Sequence, residues 1–527
     1  MLLFVALILL FALLAIRFSD QSGLPSLLLF LALGILCSSL GIEFNDYSFS
    51  NNFSMIALII IMFYGGFATN WKMGKDVFWP AASLASLGVA LTALLTGLCI
   101  YFIFKLPLLE SMLLGSIVGS TDYASVSNIL TSKNLNLKYK TASLLELESG
   151  SNDPSAYTMT LLFLSLLQGK EIHIGLLIVK QIGLGLLFGF ALSYLVKIIM
   201  QRFYLKKDGL TIVFIFAMTL LSYALADYLG GNGYLAVYIF GIRLGNQPFR
   251  GKRDIIYFFD GLSELMNIGL FFILGLLATP KRIFIELPIA LGIMLVMTFL
   301  TRPVTIFSLM LPFRLKLNQL IIISWAGLRG AAAIAFAIFA ISSNLNFGID
   351  IYHIVFGICF LSSLFQGSLM APLAKKLDML DANDTVLRTF NYYVDKGNIS
   401  FIKATIDEKS ILCGKTLQEM NLAGNFIIAK IVHNGKAIVP KGNITLQAGD
   451  EIILSGEEYF DPRGQDLIEF SLTENHPWLG KELKNLHIQD NQLILFIFRK
   501  DEFIVAEGKS QLQVGDRVIL YQGQEGA

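Results

Sequence analysis

Charge is what this sequence has least of. Only 15% of its 527 residues are Asp, Glu, Lys or Arg, against 55% hydrophobic ones, where an ordinary soluble protein carries about 25% charged residues. With a mean hydropathy of +0.66 over such a length, a soluble enzyme is excluded. The charges nearly cancel, 40 Lys and Arg against 39 Asp and Glu. That excludes a strongly basic nucleic-acid binder and leaves only local electrostatics to matter. Cysteine is scarce as well. Cys37, Cys99 and Cys359 lie in apolar runs and Cys413 in a polar region, a scatter with neither disulfide nor zinc spacing. The five histidines form no metal motif, since His173 and His353 fall in or near loops between apolar runs and His433, His476 and His487 in the polar C-terminal region. Redox, metal-cluster and enzymatic chemistry are therefore not expected, and no cofactor is.

What the chain does have is apolar runs of bilayer length, about 20 residues each. About thirteen lie between Met1 and Leu377. The first begins MLLF without a basic n-region and ends at Arg17 without a small-residue cleavage pattern, so it reads as a retained helix. Loop charges give an orientation, because Lys and Arg stay on the cytoplasmic side. One set of alternate loops holds Arg17, Lys72, Lys75, Lys133, Lys138, Lys140, Lys197, Arg202, Lys206, Lys207, Arg243, Arg250, Lys252, Arg253, Arg302, Arg314, Lys316, Lys375 and Lys376; the other holds only Lys105, Lys170, Lys281 and Arg282. The expectation is a multi-pass protein of a bacterial-type plasma (inner) membrane, N-terminus outside, with everything after Lys376 cytoplasmic. Residues 1–377 form the membrane domain.

After Leu377 the composition changes. A polar linker (378–394) leads into short β-rich runs that repeat with an offset of about 66 residues. Gly414, Lys415 and Leu417 match Gly480, Lys481 and Leu483; Leu446, Gln447, Gly449 and Asp450 match Leu512, Gln513, Gly515 and Asp516. Two lobes, 395–458 and 459–527, follow from this duplication. The L-Q-x-G-D element is a tight turn before a buried strand. The lobes resemble the C-terminal regulatory domain of TrkA and RCK proteins, an α+β fold. They serve either as a dimerising or stabilising cap or as a ligand sensor. The segment HNGKAIVP (433–440), beside the strand FIIAKIV, resembles the patch where some such domains bind cyclic di-AMP, which makes Ile428, His433, Ile438 and Pro440 the candidate regulatory site.

An ionised side chain at mid-bilayer costs about 2.5 to 3.5 kcal/mol even on lenient scales, so polar residues inside the spans are functional candidates. Three clusters qualify. The fifth span (108–130) carries GSIVGSTDYASV with Thr121 and Asp122; the sixth (141–167) carries LELESGSNDPSAY with Glu146, Glu148, Ser149, Asn152 and Asp153; the twelfth (316–341) carries SWAGLRGAAAIAFA with Arg329. Ser149, Asn152 and Asp153 are spaced i, i+3, i+4 and share one helix face, a set of hard oxygen ligands for Na⁺ or K⁺ with a carboxylate able to hold a proton instead. Glu148 faces a different neighbour, and pairing with Arg329 would remove two isolated charges at once. Pro154 removes a helical N–H and frees the carbonyl of Gly150. Gly115 and Gly119 can interrupt the fifth span, and Gly327 and Gly330 the twelfth. Two glycine-interrupted helices seven spans apart point to a midplane site in an inverted-repeat transporter.

G-S-T-D, E-S-G-S-N-D-P and W-A-G-L-R-G, followed by the lobes, resemble the NhaP-type monovalent cation/proton antiporters, in particular the potassium/proton branch with TrkA-like C-terminal domains. The resemblance implies a mostly α polytopic fold of about 13 transmembrane helices, a homodimer, and a core bundle moving against a dimerisation domain. It implies Asp153 as the ion and proton carboxylate, Asn152 as its partner in the Asn-Asp pair that marks electroneutral exchange, and Ser149, Thr121 and Asp122 lining the site. The alkali cation would be held through Asp153, Ser149 and Thr121, with Glu148 and Arg329 as a structural pair. Two departures stand out: Tyr64 occupies a position before Gly65 where relatives usually have an acidic residue, and Ala331, Ala332 and Ala333 stand where the family usually has a proline-containing continuation. The function expected is K⁺ or Na⁺ out against H⁺ in, with lipid and the two ions as partners. An RCK-gated channel is the rival, but the carbonyl-lined filter motif T-V-G-Y-G is absent.

Overall fold

The computed structural model describes residues 2–380 apart from 23–25, 42–43, 45, 70, 123–136, 203–207, 248, 250–251 and 344, and then 399–407, 410, 412–419, 427–433, 436–457, 467–474, 476–486, 488, 492–499, 502–505 and 508–522. The chain separates into two compact units, 1–394 and 395–527.

The first unit is helical because almost every segment is apolar and, without water to satisfy it, the backbone must bond to itself. Its helices are α1 (Leu2–Ser22), α2 (Ser26–Ser39), α3 (Tyr47–Ala68), α4 (Lys75–Phe104), α5 (Leu108–Ile117), α6 (Thr141–Leu167), α7 (Ile174–Arg202), α8 (Asp208–Tyr228), α9 (Gly233–Gly245), α10 (Lys252–Leu277), α11 (Pro280–Phe313), α12 (Leu317–Trp325), α13 (Ala331–Ile341) and α14 (Ile351–Lys376). Seven of them are long and apolar enough to cross a bilayer. Shorter apolar helices account for α1, α2, α5, α9 and α13. Counting α12 and α13 as one broken span, and adding the carboxylate-bearing α6, the described helices make thirteen spans. Residues 123–130, the expected second half of the fifth span, and most of the expected linker lie outside the described residues.

Packing sorts these helices into two bundles, α1–α3 with α7–α10, and α4–α6 with α11–α14. Small residues let backbones approach within each bundle. A methyl at Gly241 of α9 would stand 2.6 Å from the carbonyl oxygen of Phe63 on α3. Gly115 likewise lies against the α4 backbone near Gly97, so it is a packing glycine and the interruption of the fifth span begins after it. Between the bundles, α6 meets α9: Gly150 lies against the Tyr238 hydroxyl, and Tyr157 packs edge-on against Tyr234 at 5.1 Å. Halves whose members are offset by seven spans fit the inverted repeat.

The second unit is two copies of one four-stranded antiparallel sheet. The first has the order β1-β4-β2-β3, with β1 Ile399–Thr405, β2 Ile427–His433, β3 Lys436–Ile438 and β4 Glu451–Glu457. The second has the order β5-β8-β6-β7, with β5 Leu467–Ser471, β6 Gln492–Arg499, β7 Glu502–Val505 and β8 Arg517–Gln522. Even the irregularities repeat: the register shifts between Ile428 and Lys430 in one copy and between Ile494 and Phe496 in the other. Gly449 and Gly515 take φ of +87° and +83°, the left-handed turn that glycine makes without strain. Among the described residues of this unit the helical turns are 3-10 in type.

Candidate functional site

In the second bundle α5 ends where the span made by α12 and α13 is interrupted. After α5 the chain turns at Val118 and Gly119 and runs non-helically through Ser120, Thr121 and Asp122; α12 ends at Trp325, and residues 326–330 run non-helically before α13. The two breaks are joined by the Asp122 N–H, which donates to the Leu328 carbonyl at 2.8 Å. The helix end left open at α5 is met by a charge of the favourable sign. At the C-terminal end of α5, Arg329 Nη1 donates to the carbonyls of Gly119 (2.8 Å) and Ser120 (2.6 Å). Before α13, Asp122 lies against Gly330, so closely that a Cβ on that glycine would stand 2.5 Å from Asp122 Oδ2 and Cβ.

α6 passes this junction unbroken despite Pro154. Its i, i+3, i+4 face meets the non-helical segment 120–122 as the spacing requires. Ser149 donates to the Thr121 carbonyl (2.5 Å), Asn152 Nδ2 donates to the Thr121 hydroxyl, and Ser120 donates to Asp153 Oδ1. Thr121, Ser149 and Asn152 are buried, while Asp153 is half-buried. Asn152 Oδ1 is buried with no hydrogen-bond partner among the described residues, an acceptor oxygen left over beside a carboxylate. Hard oxygens of this kind suit an alkali cation. Of the residues expected at the site, Ser149, Asn152, Asp153 and Thr121 come together; Asp122 is adjacent but turned to Gly330. Sequence reasoning passed over Ser120, although it stands inside the quoted G-S-T-D run.

The expected Glu148–Arg329 pair is not formed. Glu148 accepts from Arg302 Nη2 at 3.0 and 3.2 Å through both carboxylate oxygens, and both residues are buried, 1% and 5% exposed. Arg302 had been counted as a loop charge. It lies instead inside the continuous helix α11, which runs on through it to Phe313. Arg329 has no need of a carboxylate, since the broken end of α5 supplies two carbonyls. Tyr64, the departure from the family pattern, donates to Asp260 on α10 at 2.6 Å, in the other bundle.

Asn232 ties the bundles together next to the site. Its side chain caps α9 by accepting from Leu235 N and donates across to Pro154 O (2.7 Å) and to Thr158 Oγ1 (3.0 Å) on α6. In the lobes, Ile428 and Ile438 pack around the buried Ile431 and Ile452, and Pro440 is half-buried. His433 Nδ1 is 2.5 Å from Asp450 Oδ1, so of the four candidate regulatory residues it is the one already engaged by a carboxylate.

A helix end and an interrupted helix joined beside a carboxylate and oxygen ligands, within a bundle of apolar spans, fit a membrane-embedded secondary transporter. The sequence comparisons are specific: residues 5–376 match the model of the sodium/hydrogen exchanger transmembrane family, and residues 401–458 and 467–525 each match the TrkA-C domain. The chain belongs to the sodium/hydrogen exchanger family. It is 33% identical over 421 residues to the K⁺/H⁺ antiporter NhaP2 of Shewanella oneidensis, covering 78% of this chain and 73% of that one. It is 29% identical to the K⁺/H⁺ antiporter NhaP of Alkalimonas amylolytica, over 76% of this chain and 70% of the relative. Among solved structures it resembles the sodium proton antiporter MjNhaP1 of Methanocaldococcus jannaschii at pH 8, with a TM-score of 0.64 and 23% identity over 71% of this chain and 97% of that one. That likeness bears on the fold.

Proposed function

We propose that the protein exchanges cytoplasmic K⁺ for external H⁺, one for one, by competition of the two ions for Asp153. The observation that carries this is the Asp153 carboxylate on the same helix face as Asn152, whose Oδ1 has no hydrogen-bond partner among the described residues, and the Thr121 and Ser149 oxygens, where the end of α5 meets the interruption between α12 and α13. Cation binding needs the carboxylate ionised, and protonation expels the cation, so exchange requires no second coupling device. Asp122 lies against Gly330 before α13 and Glu148 is held by Arg302, whereas Asp153 is met by the neutral hydroxyl of Ser120, which suits a carboxylate that alternates between proton and cation. K⁺ is favoured over Na⁺ because the relatives at 33% and 29% identity are named K⁺/H⁺ antiporters, whereas a relative at 25%, from Synechocystis, is named a low-affinity Na⁺/H⁺ antiporter. The protein works as a homodimer in a plasma membrane, N-terminus outside and lobes in the cytoplasm, where cyclic di-AMP is the candidate regulator.

The test is dequenching of a pH dye in proteoliposomes with K⁺, Na⁺, Rb⁺ or Li⁺ at several pH values. K⁺ should dissipate the gradient at the lowest concentration. Asp153→Asn keeps the volume but cannot alternate between proton and cation, so exchange should disappear while the melting temperature holds. Wild-type rates in that variant would end the mechanism.

A further inference from the structure

The 66-residue repeat contains one telling substitution. Each lobe has a fully buried aspartate at its Gly-Asp turn, Asp450 and Asp516. Each aspartate closes its own turn: Asp450 Oδ2 accepts from Gln447 N (2.9 Å) and Asp516 Oδ2 from Gln513 N (2.8 Å). Each turn is stitched to the residue that follows the first strand of its lobe. Ile406 N donates to Asp450 O and Gly449 N to Ile406 O, both at 2.8 Å; Leu472 N donates to Asp516 O at 2.8 Å and Gly515 N to Leu472 O at 2.9 Å.

The partner of the buried carboxylate is the last residue of β2 or β6, and there the copies differ. In the second lobe it is Arg499, whose Nε and Nη2 reach the two oxygens of Asp516 at 2.9 and 2.8 Å. Burial pushes the Asp516 carboxyl up, but hydrogen bonds from Arg499 and Gln513 outweigh it and hold the group below its ordinary value. In the first lobe it is His433, with its side chain about a third exposed. Arginine keeps its charge throughout the physiological range, whereas histidine gains and loses its charge between about pH 5 and 8.

We propose that His433 and Asp450 form a proton-binding site that makes the first lobe, and not the second, respond to pH. Among the described residues, the charged positions nearest in the sheet register are Lys430 on β2, Lys436 opposite His433 on β3, and Glu451 opposite Val432 on β4; Lys403 on β1 and Glu457 at the far end of β4 are further away. In the second lobe the residue paired with Arg499 is Glu502, an opposite charge where His433 has a lysine. While the imidazole is cationic the buried carboxylate has a charged partner. Once it is neutral the ion pair is lost, and the hydrogen bond to the carboxylate is charged on the acceptor side alone and is weaker. The turn at 447–450 and its stitch to Ile406 are therefore tighter in acid and looser in alkali. That stitch lies at the end of β1, the first strand of the tail. An effect on transport, and the cytoplasm as the compartment sensed, rest on the antiporter reading above; the titration of the pair does not.

The test uses the full-length protein and amide hydrogen exchange at pH 6 and 8, corrected for intrinsic rates. Protection around 405–407 and 447–452 should fall about tenfold on going to pH 8, while the equivalent 471–473 and 513–518 should not change. His433→Arg should remove the difference in the first lobe, and Arg499→His should create it in the second. Equal behaviour of the two lobes, or a second lobe left insensitive by Arg499→His, overturns the site. In proteoliposomes, His433→Arg should abolish that part of the pH profile which truncation after Asp378 also abolishes. An unaltered profile in a variant whose exchange has become pH-independent overturns the regulatory role alone. Loss of transport in every version, wild type included, counts against the antiporter reading and leaves the exchange result standing.

Discussion

Removing Arg302 strands a buried carboxylate, and the size of the penalty can be worked from its surroundings. Arg302 bonds both oxygens of Glu148, and their side chains are only 7% and 2% exposed. Breaking such a pair by deleting one partner costs about 3 to 5 kcal/mol, most of it from the uncompensated charge left behind. Arg302→Ala should therefore lower the stability of the membrane unit by about that amount, and adding Glu148→Ala should recover much of it. Arg329→Ala should also destabilise, because the Gly119 and Ser120 carbonyls lose hydrogen bonds from a charged donor worth about 1.5 to 3 kcal/mol each. Glu148→Ala should not rescue it, since the acceptors are backbone. The assay is a denaturation series in detergent micelles on the three single variants and the two doubles. If Glu148→Ala rescues Arg329→Ala and not Arg302→Ala, the pairing described here is wrong.

Gly330→Ala places a methyl 2.5 Å from Asp122; overpacking of that kind costs about 1 to 3 kcal/mol, and because it pries the junction apart, exchange should fall more than melting temperature does, as read by transport and thermal scans side by side. Truncation after about Asp378 should leave exchange intact, since every intramembrane ligand precedes it, but alter its pH or ligand dependence; an inserted yet inactive product would make the lobes obligatory to the cycle. Calorimetry on the full-length protein should detect cyclic di-AMP, with Pro440→Ala weakening it, and no heat would remove that regulator. At the N-terminus of α14, Asp350 is pushed up by burial but held at about 2 by His353 and Arg282. A depressed carboxyl stabilises the fold above its ordinary value, near pH 4, and loses that contribution as pH falls through about 2. Arg282→Ala should move the acid loss to higher pH in a melting series.

What was legible in the sequence follows from which signals are local. The Ser149, Asn152, Asp153 face needed only helical periodicity, and the lobe duplication only self-comparison. The breaks at 118–122 and 326–330 were signalled by their glycines, although Gly115 turned out to serve helix packing. Arg302 was illegible for a physical reason. A basic residue near the end of an apolar run looks the same whether the run stops there or continues, and only the carboxylate 154 positions away in sequence decides it. Arg329 was legible as buried but not as a helix cap, because its partners are carbonyls that exist only once α5 breaks.

That distinction settles how the acidic residues near the junction divide their work. A broken helix exposes carbonyls at one end and N–H groups at the other, and at mid-bilayer neither can be left to solvent. Arg329 answers the first need at the end of α5, and Asp122 lies at the place of the second, against Gly330 before α13. Arg329 is thereby tied to the break itself, and Asp122 is placed beside the other. Glu148 is tied in the same way to Arg302. Asp153 alone of these three carboxylates is held by a neutral hydroxyl, that of Ser120, which can accept from a protonated carboxyl as readily as it donates to an ionised one. A Ser120→Ala variant keeps every charge in place and removes only that adaptable partner. It should therefore retain the fold and shift the pH at which exchange is half-maximal. If it instead unfolds the protein and leaves the pH profile of the residual activity unchanged, the hydroxyl is part of the scaffold and not of the exchange.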